Sequence, residues 1–349
     1  MHMADALVAP VVGGVMWAAS AGLVSYAARK VKNGLDDSKV PLMGVLGAFV
    51  FAAQMINFSI PGTGSSGHLG GGMLLAALLG PHAAFVTMAS ILAVQAFLFA
   101  DGGLLALGCN IVNLAFFPCY VAYPLIYKPL VRTGAGRNSM ILAAGLAAVV
   151  GLQLGSLGVV LETTVSGIAE LPFSQFLLLM QPIHLAIGLV EGAVTAAVLL
   201  FITRTRHDIL QDTAGPAGAD RRSLKPLVAG LLIAALLIAG VLSWFASADP
   251  DGLEWSVAQT AGQELTADHG IYGWLADIQH KLAIFPEYTF KGGGDNSPAA
   301  VNDKSSAWPG VDSGLSLAGV IGTLVTLLAT LALGRLLKAC GRRRELSRS

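Results

Sequence analysis

Seven long runs without a charged residue constrain this chain more than any other feature of its sequence. No Asp, Glu, Lys or Arg occurs in residues 6–28, 40–100, 102–127, 138–161, 171–190, 226–248 or 315–334. A helix needs about 20 apolar residues to cross the hydrocarbon core of a bilayer. Only 12% of all residues are charged, about half the usual share in soluble domains. The runs therefore predict an all-α polytopic membrane protein.

The run from Val40 to Ala100 is too long for a single membrane-spanning helix. Pro61, the glycine-rich stretch that follows it and Pro81 divide the run into three parts. These are a helix at about 41–59, a short helix at about 70–80 and a helix at about 82–100. Together with the other runs they predict a seven-helix bundle, one of whose helices has half length, and two further helices joined by a long outer loop. The other predicted spans are 6–28, 103–127, 138–163, 173–203, 226–247 and 315–336.

The distribution of basic residues predicts the orientation of these spans. An outer N-terminus assigns residues 29–39, 128–137, 204–225 and 335–349 to the cytoplasm, and these segments contain 18 of the 21 Lys and Arg residues. Basic residues favour cytoplasmic flanks. We therefore expect an outer N-terminus and a cytoplasmic C-terminus in the plasma (inner) membrane. This allocation holds only if the short helix at 70–80 counts as a crossing.

The segment before the short helix reads "PGTGSSGHLGGG" (residues 61–72) and contains His68. A helix of 11 residues reaches only about 16 Å, so this segment must dip into the membrane plane to complete a crossing. Irregular backbone at that depth is tolerated where it is buried in protein or lines a cavity. His68 alone could be a polar residue with satisfied hydrogen bonds. A second histidine on the same outer side, His2, favours a functional reading of both.

The first two residues, Met1 and His2, form a potential chelator. No basic segment or cleavage site precedes the first apolar run, so we expect Met1 to keep a free amine. The amine and the backbone nitrogen of His2 close a five-membered ring on a metal ion, and the His2 imidazole closes a six-membered ring with the same backbone nitrogen. His68 could supply a fourth nitrogen. Four nitrogens in a plane suit Ni(II) or Cu(II), and Co(II) is a plausible neighbour, whereas Zn(II) prefers a tetrahedron.

Three stretches carry a resemblance to a known family. "MHMAD" at the start, "FAAQMINFSIPGTGSSGHLGGGMLLAALLGP" at 51–81 and "FADGGLLALGCNIVN" at 99–113 resemble the nickel- and cobalt-specific substrate-binding (S) subunits of energy-coupling factor transporters, the NikM/CbiM family. The resemblance implies metal ligation by Met1, His2 and His68. It also implies Ni(II) or Co(II) as transported substrate rather than cofactor, and as partners a transmembrane coupling (T) subunit and ABC-type ATPase subunits.

The C-terminal part resembles the two-span NikN/CbiN component, fused here to the S subunit. The stretches "ADPDGLEWSV" (248–257) and "AIFPEYTF" (283–290) carry this resemblance. We therefore predict a substrate-binding domain at 1–210, a cytoplasmic linker at 211–225 and a two-span domain at 226–349 with an outer loop at 249–313. In that loop we expect four residues to dock against the outer mouth of the S subunit: Trp255, Phe285, Pro286 and Tyr288.

Several polar residues inside the predicted spans permit two readings. His184 and Glu191 lie seven residues apart on one helical face. Either they are functional, or a packed interhelical hydrogen bond to another helix explains their presence in the span. Gln54, Asn57 and Asn110 are candidate hydrogen-bond partners of the ligand imidazoles.

Two further patterns of residues also permit more than one interpretation. Cys109 and Cys119 do not share a helical face, so packing explains them better than metal binding. Gly44, Ala48 and Ala52 form a ridge of small residues on the second span. Such a ridge resembles the surface by which S subunits contact the coupling subunit, or it serves packing within the chain.

The sequence favours a transporter subunit over an enzyme. It contains no G-x-x-x-x-G-K-[ST] phosphate loop, so ATP hydrolysis would come from partner ATPases. Four nitrogens in a plane leave no equatorial position for catalysis, no H-E-x-x-H motif is present, and no catalytic residue or nucleic-acid partner is predicted. We expect import of Ni(II), with Co(II) possible. The alternatives are a cobalt importer for cobalamin synthesis, a membrane metal sensor and a metalloenzyme.

Overall fold

The computed structural model describes residues 1–34, 39–133, 136–205, 224–261, 270–290 and 309–346, which are mostly helical. Single turns of 3-10 helix occur at Asp5–Leu7, Leu242–Phe245 and Pro286–Tyr288. The α-helices are α1 (Pro10–Gly34), α2 (Lys39–Gln54), α3 (Gly72–Leu79), α4 (Pro81–Val94), α5 (Leu107–Ile111), α6 (Lys128–Thr133), α7 (Arg137–Ser166), α8 (Phe173–Thr205), α9 (Lys225–Gly240), α10 (Gly252–Ala261), α11 (Ile271–Leu282) and α12 (Ser313–Leu346).

Within the described residues, six helices are long and apolar enough to cross a membrane. Two shorter apolar helices, α2 and α9, have 16 residues each. The prediction of a helical multi-pass protein is therefore confirmed, whereas the count of nine crossings and their orientation remain predictions. The six long helices are Pro10–Lys32, Pro81–Phe99, Leu107–Val131, Arg137–Ser166, Phe173–Arg204 and Ser313–Gly341.

The all-α prediction is wrong in one place, the segment before the short helix. The helix expected at 41–59 ends at Gln54, and the chain then forms an antiparallel hairpin of β1 (Phe58–Ile60) and β2 (Ser65–Gly67). The turn between the strands contains Gly62 and Gly64, whose φ angles of 80° and 74° lie in the left-handed region. Glycine adopts this conformation without the steric cost of a side chain, so the glycines that suggested a loop instead close a hairpin.

The short helix is present as α3 and is almost completely buried. Its eight residues span about 12 Å. Gly72 packs so closely on Pro118 that an added Cβ atom would collide with the proline ring. The chain around Pro118 forms wide π-type turns over Val112–Tyr127, which connect α5 to α6. These turns accommodate two prolines that cannot donate the regular helical hydrogen bond.

The C-terminal helix α12 covers the ridge of small residues on α2. An added Cβ at Gly44 would collide with Leu331, and Ala48 and Ala52 are fully buried. The interpretation of this ridge as a free surface for the coupling subunit is therefore wrong. The alternative interpretation, packing within the chain, is correct, because α12 approaches α2 closely where α2 lacks bulk.

The C-terminal part also contacts one end of the bundle. Met1 and His68 lie at this end, close to Asp251 of the C-terminal part, and it is here called the Met1 end. The Ser66 amide donates to the Pro250 carbonyl at 2.8 Å. The rings of Phe285 and Tyr288 stack on Phe99 with centroids 6.3 and 4.8 Å apart. The docking predicted for these two aromatic residues is confirmed. All but the last two residues of the predicted linker 211–225 lie outside the described residues.

Candidate metal site

The N-terminal segment enters the bundle and is anchored there at Met3. The Met3 amide donates to Asn110 Oδ1 at 2.7 Å, and Asn110 Nδ2 donates to the Met3 carbonyl at 3.2 Å. Met3 is fully buried and Met1 is 5% exposed. Gly102 leaves room for the segment, because an added Cβ would lie 3.3 Å from Cβ of His2. Asn110 therefore holds the backbone of the segment and not, as predicted, a ligand imidazole.

The Met1 amine and the His68 imidazole meet inside the bundle. The amine nitrogen lies 3.2 Å from His68 Nε2. His68 Nδ1 lies 3.1 Å from the Leu69 carbonyl oxygen, which can only accept, so Nδ1 carries the proton and Nε2 has a free lone pair. Adjacent donors around a metal with bonds of about 2.0 Å lie about 2.8 Å apart. Two of the four predicted donors are thus close to the separation that a shared ion requires.

The His2 ring lies beside His68 but is turned toward a carboxylate. The two rings stack with centroids 5.1 Å apart and an interplanar angle of 17°. His2 Nδ1 lies 3.3 Å from Asp101 Oδ1, while Nε2 is buried without a hydrogen-bond partner. Burial lowers the pKa of His2, although Asp101 opposes this effect. The structure therefore places the ring at the site with Nδ1 facing Asp101, and chelation requires Nδ1 to turn from Asp101 toward the amine.

Asp251 of the C-terminal part is the site residue that sequence reasoning missed. Its Oδ2 accepts from the Met1 amine at 2.9 Å. Its Oδ1 accepts from the amides of Leu253 and Glu254, both at 2.8 Å, and so caps the start of α10. Burial raises the pKa of the Asp251 carboxyl, but the adjacent ammonium group, the hydrogen bond from the Glu254 amide and the His68 ring together hold the pKa well below its usual range. The only sequence signal was its position in the quoted stretch at 248–257.

Two polar side chains hold the backbone of the loop that carries His68. Gln54 Nε2 donates to the Gly70 carbonyl at 2.8 Å. The Glu191 carboxylate accepts from the amides of Gly70 and Gly71 at 2.8 and 3.2 Å. The peptide groups on both sides of Gly70, which lies two residues after His68, are thereby held in place. Gln54 acts through the backbone and not, as predicted, through an imidazole, and Asn57 accepts from the Ser247 amide through its own carbonyl.

Glu191→Gln is expected to weaken Ni(II) binding about 10- to 100-fold, in the range found for groups that orient metal ligands. Glutamine offers one acceptor oxygen to two amide donors, so one bond to the loop is lost. Competition with a chromophoric chelator measures the dissociation constant. Glu162→Gln is a matched control, because the amide oxygen of the new side chain can still accept from Asn113 Nδ2. Equal affinity of the Glu191 variant and the wild type would contradict the positioning role.

His184 lines the same cavity as Met1, His68 and Asp251 but forms no bond to them. This cavity has a volume of about 10 Å³, the space of about one water-sized sphere. His184 Nδ1 lies 2.8 Å from the Met180 carbonyl, and its buried Nε2 has no partner. Glu191, the other residue of this pair, bonds the backbone of the loop before α3, whereas His184 bonds only a carbonyl of its own helix.

His184→Ala is expected to leave Ni(II) affinity within about twofold of the wild type. The imidazole forms no hydrogen bond with the predicted ligands, so its loss removes no donor from the N-terminal chelate. The same competition titration measures this affinity. A loss of tenfold, about 1.4 kcal/mol, would instead make His184 a ligand.

The remaining candidate groups lie apart from the site. Cys109 and Cys119 are buried free thiols, and His82 contacts the Tyr120 hydroxyl at 2.9 Å. Within the described part of the chain, no three His, Cys, Asp or Glu side chains converge on one point.

The fold defines the class of this protein as a multi-pass helical membrane protein, and comparison with known proteins defines its family. The profile of the family described as cobalt uptake substrate-specific transmembrane region, CbiM, matches residues 2–209. That of the PDGLE domain matches residues 225–339. The chain belongs to the CbiM family and carries a PDGLE domain after the CbiM region. The resemblance to fused NikM/CbiM proteins is confirmed.

Individual relatives agree with this assignment. The fused nickel transport protein NikMN of Rhodobacter capsulatus is 32% identical over 63% of this chain and 67% of its own length. The cobalt transport protein CbiM of Geobacter sulfurreducens is 29% identical over 77% of this chain and 79% of its own length. A crystal structure of a truncated transition metal transporter is 30% identical, with a TM-score of 0.53, and covers 59% of this chain and 99% of that chain.

Proposed function

We propose that this protein is the substrate-binding subunit of an ATP-driven importer of Ni(II), with Co(II) as the alternative cargo. The observation that carries the proposal is the approach of the buried Met1 amine to His68 Nε2 at 3.2 Å. Once the amine has released its proton, the amine and the imidazole offer two nitrogen lone pairs side by side. Such nitrogen donors suit Ni(II), Cu(II) and Co(II) and not Mg(II) or Ca(II), which prefer oxygen.

The proposed ligand set has four nitrogens. The Met1 amine, the backbone nitrogen of His2, Nδ1 of His2 and Nε2 of His68 form a square plane. The His2 ring already stacks on His68 at 5.1 Å, so rotation of its side chain brings Nδ1 into reach. The amine must lose a proton to bind the ion, and the affinity for Ni(II) therefore decreases as the pH falls.

The topology proposed for the importer has nine crossings, with Met1 on the outer side and the C-terminus in the cytoplasm. The distribution of Lys and Arg supports this orientation. The proposed division is a substrate-binding domain at 1–210, a linker at 211–225 and a two-span domain at 226–349. Because the chain has no phosphate loop, ATP hydrolysis is assigned to ABC-type ATPase subunits that act through a coupling subunit.

Nickel accumulation by cells tests the proposal. We expect cells that produce this chain together with its coupling and ATPase subunits to accumulate radioactive nickel, and cells with an ATPase-inactive complex to lose that accumulation. Binding of Ni(II) without any ATPase-dependent uptake would contradict the importer and favour a metal sensor. Competition by Co(II) in the same assay shows which of the two ions the importer prefers.

A further inference from the structure

The contact between Asp251 and the Met1 amine joins the two halves of the chain at the proposed metal site. The Met1 side chain is 3% exposed and the Asp251 side chain is 17% exposed. From this ion pair we propose that Asp251 is the fixed counter-charge of the cargo: the C-terminal part supplies the negative charge that holds the divalent cation in the site. This inference rests on the proposed function, since it assigns a new residue to the same site.

The position of Asp251 does not depend on the amine. Its Oδ1 is held by the amides of Leu253 and Glu254 at 2.8 Å each. The preceding residue is held by the bond from the Ser66 amide to the Pro250 carbonyl at 2.8 Å. Gly252, which follows, packs closely against Ile183 on α8. The carboxylate is therefore a rigid group that remains beside the amine when the amine changes its partner.

The charge balance of the buried site explains why a carboxylate belongs there. Without the ion, the ammonium group balances Asp251. When the ion binds, the amine releases its proton and the ammonium charge disappears, while a divalent cation arrives. The His2 backbone nitrogen binds as the deprotonated amide, which leaves one net positive charge on the complex. Asp251 balances this charge too. Without the carboxylate, the unloaded amine would become neutral by releasing its proton, whereas the loaded complex would keep an unpaired buried charge, so loss of Asp251 weakens binding.

His2, the second residue of the proposed chelator, also faces a carboxylate, that of Asp101, which accepts a hydrogen bond from the C-terminal part. Asp101 Oδ1 faces His2 Nδ1 at 3.3 Å, and its Oδ2 accepts from the Tyr288 hydroxyl at 2.7 Å. Asp101, however, must release His2 before the ring can chelate. Asp251 faces no such requirement, because its oxygen does not occupy a ligand position. This difference assigns the lasting electrostatic role to Asp251.

The test compares Asp251→Asn with Asp249→Asn in the full-length chain with its native N-terminus. Asparagine caps a helix about as well as aspartate, so the first substitution removes the charge and keeps the α10 cap. Asp249 lies in the same segment but bonds Ser59 and Ser247, which makes it the matched control. We expect Asp251→Asn to weaken Ni(II) binding about 10- to 100-fold at fixed pH and salt, and Asp249→Asn to change it less than about twofold.

Two further measurements make the outcome decisive. The visible and circular dichroism spectra of the Ni(II)-saturated Asp251→Asn variant should match those of the wild type, because the four ligands are intact. Asp251→Ser, which also keeps a capping oxygen, should show the same loss of affinity. Wild-type or tighter affinity in both variants would overturn the proposal, and so would an altered spectrum, which would make Asp251 a ligand. If His68→Ala also binds as the wild type does, the proposed function itself fails.

Discussion

Addition of a single residue before Met1 is expected to abolish tight Ni(II) binding. The extension converts the amine into an amide, which removes a donor and the five-membered chelate ring that starts from it. It also has no room, because Met1 is 5% exposed and its amine nitrogen already contacts both His68 and Asp251. We expect the dissociation constant to rise at least about 100-fold, or about 2.7 kcal/mol, in a calorimetric titration of the purified protein.

A protease-removable extension supplies the control for this experiment. Removal of the extension regenerates the Met1 amine in the same preparation, and intact mass measurement verifies both forms. Binding should return after cleavage. Equal binding by the extended and cleaved forms would show that the terminus is incidental, and the metal site would then have to be rebuilt around His68 and His184.

His68→Ala and His2→Ala are each expected to abolish tight binding as well. Nε2 of His68 lies 3.2 Å from the amine, and His2 contributes its ring to the proposed chelate. Each substitution therefore removes one of the four proposed nitrogen donors. We expect a loss of at least about 100-fold in affinity for each variant, measured by the same titration.

His82→Ala is the matched control for removal of a histidine. His82 bonds the Tyr120 hydroxyl and has no predicted role in metal binding, so its loss should leave affinity near the wild type. A thermal melt of each metal-free variant separates a loss of ligand from a loss of fold. Tight binding in a folded His2→Ala or His68→Ala variant would contradict the four-nitrogen site.

The long apolar helices could be predicted from the sequence because the bilayer imposes a length on uncharged runs, whereas α10 and α11 lie in the segment predicted as an outer loop. Even α3 was predicted, since Pro61 and Pro81 interrupt the longest run. The hairpin of β1 and β2 was not, because its strands have three residues each and glycines suggest a loop as readily as a turn. Periodicity over so short a stretch carries little information.

The sequence predicts Met1, His2 and His68 as nitrogen donors from the chemistry of metal ligands, and the structure brings these three residues together. The surroundings of these residues could not be predicted. Asp251 is 250 residues from the amine that it contacts, and no local pattern in a sequence reports such a contact. For the same reason, the sequence did not report that Gly44 packs against Leu331 in the last helix. Contacts between the two halves of the chain follow from packing in three dimensions and not from periodicity.

X-ray absorption at the nickel K-edge of the Ni(II)-loaded protein tests the central claim most directly. The claim is that Met1, His2 and His68 hold the cargo through four nitrogens in one plane. We predict the pre-edge feature of a square-planar ion and a first shell of about four nitrogen neighbours. A six-coordinate ion surrounded by oxygen, or a spectrum that an N-terminal extension leaves unchanged, would contradict the account.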